Sequence, residues 1–237
     1  MANSDYQIIV RNMSAVTQYF YVFQKQAQFQ PAVTGADISS SSLGCQSVAN
    51  YENSGAQIMF GLDAQIYAGA VSTMAPPPPS LEVAPFSLSN GVLLISETMA
   101  AQKIALTTAD GSPSNTTNLT LDPLSLSKPT YQSGTPAGAF SITIPIYKPA
   151  SPPQLYCGVA ALNNDQTIIL SSFIAPTPNM VSNCAPKQIF FVKVGYQPTG
   201  SLVTYTESYA AQCDFTSGAT TISVTYNADG TFSIQGG

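Results

Sequence analysis

Four carboxylates stand inside or beside apolar runs in a chain where only 8% of residues are charged: Asp63, Glu82, Glu97 and Glu207. Glu207 lies between two tyrosines, in Tyr205-Thr206-Glu207-Ser208-Tyr209. Two carboxylates converging on one pocket could cleave a glycosidic bond, and a single buried one with a raised pKa could act as a general base. Asp63, Glu207 and Tyr209 are therefore the candidate catalytic residues. The plainer reading leaves these side chains facing solvent on the outside of a sheet. Lys25 and Lys193 could form Schiff bases, or could guard edge strands against aggregation. Histidine is absent. That excludes Ser-His-Asp and Cys-His catalysis and every His-ligated metal site.

Cys45, Cys157, Cys184 and Cys213 are widely spaced with no C-x-x-C pair, so no metal is expected. They read as small buried hydrophobes, with their pairing left open. Both glycine-rich phosphate-loop patterns are missing, and no cofactor is expected. Asp110-Gly111-Ser112 and Asp229-Gly230-Thr231 look like fragments of calcium loops but lack further carboxylates, and read as turns.

Binding has more raw material than catalysis. Twelve tyrosines and eleven phenylalanines stand among many Asn and Gln side chains. Flat apolar faces with neutral hydrogen-bonding groups suit uncharged ligands. The candidate ligand-binding residues are Tyr19, Tyr21, Tyr67, Tyr205 and Tyr209. The leading expectation is non-enzymatic binding of a neutral ligand, carbohydrate-like or an apolar small molecule, on a Tyr/Gln/Asn-lined β surface. Absence of tryptophan weighs against a lectin-like site. One alternative is a self-assembling structural β protein, since little charge repulsion opposes association. A second is a cofactor-independent isomerase, cyclase or glycosidase using carboxylate and tyrosine.

Net charge is −5, and the seven Lys and Arg residues are scattered singly. A phosphate backbone needs several cations on one track, so no nucleic-acid partner is expected. Met1-Ala-Asn-Ser-Asp-Tyr lacks a signal-peptide pattern, and no run approaches the ~20 apolar residues of a membrane span. A cytoplasmic or leaderless protein is expected, unless a leader was removed. Sequons at Asn12, Asn115 and Asn118 read as chance in so Ser/Thr-rich a chain.

These residues must be positioned by strands, because short Val/Ile/Thr/Tyr/Phe runs bounded by Gly, Pro, Asn or Ser dominate. Thr17–Gln30 is the most distinctive. Phe20 and Val22 alternate with Tyr19, Tyr21 and Phe23, so both faces are apolar, as in a strand covered on both sides. Further strands are expected at Tyr6–Arg11, Ala56–Phe60, Ala64–Val71, Leu81–Leu88, Val92–Ser96, Lys103–Thr108, Ala139–Tyr147, Leu155–Leu162, Thr167–Phe173, Lys187–Gln197, Ser201–Glu207, and Thr220–Tyr226 with Thr231–Gln235 as a hairpin. Pro31–Val48 reads as an exposed Ser-rich loop and Pro76–Pro79 as a polyproline II spacer. Only Glu97–Leu106 shows a helical spacing.

The fold class expected is all-β, an antiparallel β-sandwich, either one large two-sheet sandwich or two related lobes. The expected division is a lobe over 1–108, a polar linker or long loop over 109–138 with at most one short strand around Leu119 and Leu121, and a second lobe over 139–237, with a single continuous domain as the alternative. Gln18-Tyr-Phe-Tyr-Val22 matches Gln188-Ile-Phe-Phe-Val192, and Ala64–Tyr67 matches Thr206–Tyr209, which raises an internal duplication.

Overall fold

The computed structural model describes residues 5–72, 99–108, 114–162 and 168–236. The expected strands Leu81–Leu88 and Val92–Ser96, the Pro76–Pro79 spacer, Glu82, Glu97 and Asp110 lie outside them. In chain order the strands are β1 (Asp5–Asn12), β2 (Gln18–Gln24), β3 (Gln28–Gln30), β4 (Ser39–Ser40), β5 (Gly44–Val48) and β6 (Ile58–Asp63). Then come β7 (Tyr67–Ser72), β8 (Met99–Lys103), β9 (Thr116–Leu121), β10 (Leu124–Leu126), β11 (Phe140–Thr143) and β12 (Leu155–Leu162). The last are β13 (Ile168–Ile174), β14 (Val181–Ala185), β15 (Ile189–Val194), β16 (Ala211–Asp214), β17 (Thr221–Tyr226) and β18 (Phe232–Gln235). The weak helical spacing at Glu97–Leu106 contains β8 instead.

Four sheets result, ordered β18-β17-β1-β6, β16-β15-β2-β5, β10-β9-β11-β14-β3 and β4-β13-β12-β7-β8. Neighbours are antiparallel apart from β1 with β17 and β9 with β11. The first two sheets enclose one core, where Ile8, Val10, Phe60, Ile222 and Val224 meet Phe20, Val22, Phe190 and Val192. The other two enclose a second, where Phe29, Leu119, Phe140 and Ile142 meet Ala68, Ala70, Leu155 and Val159. The all-β sandwich architecture is present, as two sandwiches.

Those sandwiches are not the two halves of the chain. Every sheet hydrogen-bonds strands from 5–72 to strands from 139–236, so lobes over 1–108 and 139–237 are corrected. The reason is the parallel pair β1–β17, with Ile8 opposite Ile222 and Val10 opposite Val224. Parallel partners need a long connection, and here it draws the end of the chain onto its beginning. Part of the stretch expected as a linker or long loop is sheet. β9 and β10 form a hairpin within a sheet.

Asn115 is buried, donating to Thr107 Oγ1 at 2.9 Å and Gln132 O at 3.1 Å. Asn12 is buried too, donating to the carbonyls of Val16 at 2.8 Å and Val48 at 3.1 Å. Two of the sequon asparagines are thus committed internally, while Asn118 is exposed.

The Ser-rich stretch departs furthest from expectation. Ser40, Ser41 and Ser42 are buried, not exposed. Their backbone is satisfied by a strap, residues 200–203: Gly200 N–H donates to Ser42 O at 2.7 Å, and Val203 N–H to Ser40 O at 2.9 Å. Ser42 N–H in turn donates to Ser201 O at 2.9 Å. Ser201–Glu207, expected as a strand, is this strap, with one isolated bridge from Leu202 to Ser41.

The matched pair Gln18–Val22 and Gln188–Val192 lies on neighbouring antiparallel strands, with Val22 opposite Val192. Their outer neighbours β5 and β16 lead on to β6 and β17, which flank β1 in opposite directions. This is the pairing of a local twofold. It stops there: Tyr67 begins a strand, whereas Tyr209 sits in a turn at φ 57°. Both strands are interior to their sheet, so Lys193, and Lys25 just beyond β2, do not guard an edge. The β17–β18 hairpin forms as expected, with Gly230 at φ 85° where a side chain would be strained.

All four cysteines are free, and Cys157, Cys184 and Cys213 are fully buried. Burial pushes the Cys157 and Cys213 thiols up to about 12 and that of Cys184 well above its ordinary value. Iodoacetamide near pH 8 is therefore expected to label Cys45 first in the native protein, and the other three only in denaturant. Peptide mass spectrometry reads the order; native labelling of Cys157 as fast as Cys45 would contradict this packing.

Candidate functional site

The strap brings Tyr205 and Glu207 together with Lys25. Past β2, Lys25 N–H donates to Ile189 O at 2.8 Å. The Lys25 side chain lies over the Phe191 ring, 5.9 Å from its centroid, and its Nζ meets Glu207 Oε1 at 3.2 Å. Tyr205 donates its hydroxyl to the same carboxylate at 2.6 Å and stands edge-on to Phe23, with centroids 5.7 Å apart. Underneath, Phe23, Phe191 and Val203 form a small core on the outer face of β2 and β15, with Tyr21 packed against it. The side chains of Lys25 and Glu207 are 34% and 43% exposed, so the ion pair itself contributes at most about 1 kcal/mol.

The electrostatics are those of a clamp. The Tyr205 hydroxyl, then Lys25, hold the Glu207 carboxyl below its ordinary value. Burial, and then Glu207, push the Tyr205 phenol up. A carboxylate held charged is the reverse of a general base tuned upward toward neutrality.

Asp63 has a comparable local role at the turn from β6 to β7. It accepts from Gln65 N–H at 2.8 Å and from the Tyr67 hydroxyl at 3.0 Å. Tyr67 packs with Val71, Ala160, Leu170 and Phe173, a cluster separate from the one holding Tyr21 and Tyr205. Tyr19 is 46% exposed and meets Tyr196 edge-on at 5.1 Å. Tyr209 is 94% exposed. Of the five expected ligand-binding tyrosines, then, Tyr21 and Tyr205 share a cluster, Tyr67 belongs to another, and Tyr19 and Tyr209 project outward.

A cleft elsewhere joins residues that were not singled out. It has a volume of ≈ 540 Å³ and is lined by the 64–66 turn, residues 102–106, Ser114, Lys128 and Pro129. It forms where β7 and β8 meet the β9–β10 hairpin of the facing sheet. Three hydrogen bonds hold its floor: Ile104 N–H to Ile66 O at 3.1 Å, Ala105 N–H to Ser114 O at 3.0 Å, and Gln65 Nε2 to Ile104 O at 3.0 Å. A smaller, proline-walled cleft of ≈ 320 Å³ includes Tyr147, whose hydroxyl donates to Pro176 O. Among the described residues no three Cys, Asp or Glu side chains group as a metal site, and no helix is long and apolar enough to cross a membrane.

The Tyr205–Glu207 bond has a measurable signature. Tyr205→Phe is expected to raise the Glu207 carboxyl pKa in an NMR titration and to cost less than about 1.5 kcal/mol in denaturant unfolding near pH 7. Because the folded-state pKa is depressed, Glu207's contribution is present above the unfolded carboxyl value and is lost as pH falls through the folded one. The variant and the parent should therefore converge in stability at acid pH. An unchanged Glu207 titration would show that the tyrosine hydroxyl does not hold the carboxylate.

No protein-family model, curated protein or solved structure matches this chain.

Proposed function

We propose that the protein is a non-enzymatic binder of a small, largely apolar molecule, and that the molecule sits in the cleft between β7–β8 and the β9–β10 hairpin. The observation that carries this reading is the composition of the lining. Ile66, Ile104, Leu106, Ala105 and Pro129 supply aliphatic surface within a volume of ≈ 540 Å³, which is in the range of small-molecule sites. Gln65 and Gln102 add neutral polar groups. Among the described residues no aromatic side chain lines it, which favours an apolar ligand over a carbohydrate-like one. Commitment of Glu207 and Asp63 to hydrogen bonds with Tyr205, Lys25, Tyr67 and Gln65 favours binding over carboxylate catalysis.

An NMR titration with 1-decanol tests the reading. Shifts are expected to concentrate on Ile66, Ile104, Leu106 and their neighbours. Ala105→Trp, which fills the cleft, should abolish them while leaving the rest of the spectrum in place. Shifts confined to the Tyr19–Tyr196 pair, or binding that survives Ala105→Trp, would overturn it.

Self-association is the second reading, favoured by one observation. β18 terminates its sheet among the described residues, with Ile234 43% exposed on it, and a terminal strand with an apolar side chain is a template for another chain. Light scattering after size exclusion should then show a dimer or larger species that Ile234→Lys returns to monomer. A monodisperse parent monomer at high concentration would remove this reading.

A further inference from the structure

We infer that the ligand of the cleft is an anionic amphiphile, an aliphatic chain ending in a carboxylate, with Lys103 and Lys128 as its counter-charges. This rests on the binding reading above and adds the chemistry of the headgroup. The chain has only seven cationic residues against twelve acidic ones. Two of those seven line this one cleft, and among the described residues no Asp or Glu does. Two of the other cations have side-chain partners: Lys25 with Glu207, and Arg11 with Gln57 at 3.1 Å and the Tyr51 ring at 5.1 Å. Among the described residues neither Lys103 nor Lys128 forms an ion pair.

The two lysines come from different parts of the fold. Lys103 ends β8, and Lys128 follows β10. Both are exposed, while Ile104 beside Lys103 is only 2% exposed. An aliphatic wall next to water-exposed ammonium groups is complementary to a molecule with an apolar body and one anionic end. The chain replaces water along Ile66, Ile104 and Leu106. The headgroup stays hydrated between the two lysines, where opposite charges attract without full desolvation.

Calorimetry at low ionic strength with decanoate, 1-decanol and acetate tests this, on the parent protein and on the Lys103→Met/Lys128→Met double variant. Both lysines are exposed, so the variant is expected to retain its fold, which circular dichroism checks. Decanoate should bind about fivefold to thirtyfold more tightly than decanol, two exposed ion pairs' worth. That advantage should shrink with added salt and vanish in the double variant, with decanol unaffected. Equal affinities for decanoate and decanol would overturn the anionic headgroup and leave the apolar-binding reading standing. Acetate binding as tightly as decanoate would overturn the amphiphile. If neither ten-carbon probe binds, both readings fall.

Discussion

The antiparallel pairing of β2 with β15 is the contact on which the rest of the molecule depends. Its inner face places Phe20 and Val22 beside Phe190 and Val192, none more than 2% exposed, at the centre of the first core. Its outer face carries Phe23 stacked on Phe191 at 5.4 Å. That face cannot be left in water, since burying each such ring stabilises by roughly 1.5–3 kcal/mol. The strap is the answer. After Gly195 the chain turns back, and Val203 and Tyr205 cover the two rings while Lys25 and Glu207 close the rim. The clamp that looks like chemistry is thus a consequence of an aromatic ladder with two apolar sides.

The same strap explains the buried serines. Where the chain passes from β4 in one sandwich to β5 in the other, Ser40–Ser42 run alongside residues 200–203. Ser40 lies opposite Ser172 of β13, and Ser172 Oγ accepts from Ala27 N–H at 2.9 Å. Ser201 Oγ donates to Pro198 O at 2.6 Å. Small side chains let the backbones approach, and the Ser42, Ser172 and Ser201 hydroxyls pair with backbone groups, whereas those of Ser40 and Ser41 are buried without a hydrogen-bond partner. A chain with so few charges therefore uses serine for its seam as well as for its surface.

This division of labour bears on where a ligand can sit. The tyrosines of the aromatic ladder are spent on packing, and the carboxylates near them are spent on hydrogen bonds. Space remains instead at the end of the second sandwich, where the hairpin of one sheet meets β7 and β8 of the other. Its walls are largely aliphatic, and among the described residues its charged groups are two lysines. The aromatic side chains of the ladder are thus taken up by packing, while the open cleft is lined mainly by aliphatic ones.

The sequence by itself determined the all-β character, since runs such as Tyr6–Arg11 and Thr221–Tyr226 have the two-residue period and β-branched content of strands. It also determined that Thr17–Gln30 is covered on both faces, because its apolar residues occupy both parities of one short run. The exclusion of histidine chemistry needs no structure at all. Tertiary structure alone decided the rest. The serines of Ser39–Ser42 have no apolar pattern, and only the strap, some 160 residues later, buries them. Of the 116–126 hairpin only one short strand, around Leu119 and Leu121, was legible, because turn residues stand so close together there that its partner reads as loop. The cleft was illegible for the same reason: Gln65, Lys103 and Lys128 share no local spacing, and it is the meeting of two sheet ends that makes them neighbours. Local periodicity reports which face of a strand is apolar, whereas the partner of that face is set by long-range pairing, and a site built between partners has no signature in either strand alone.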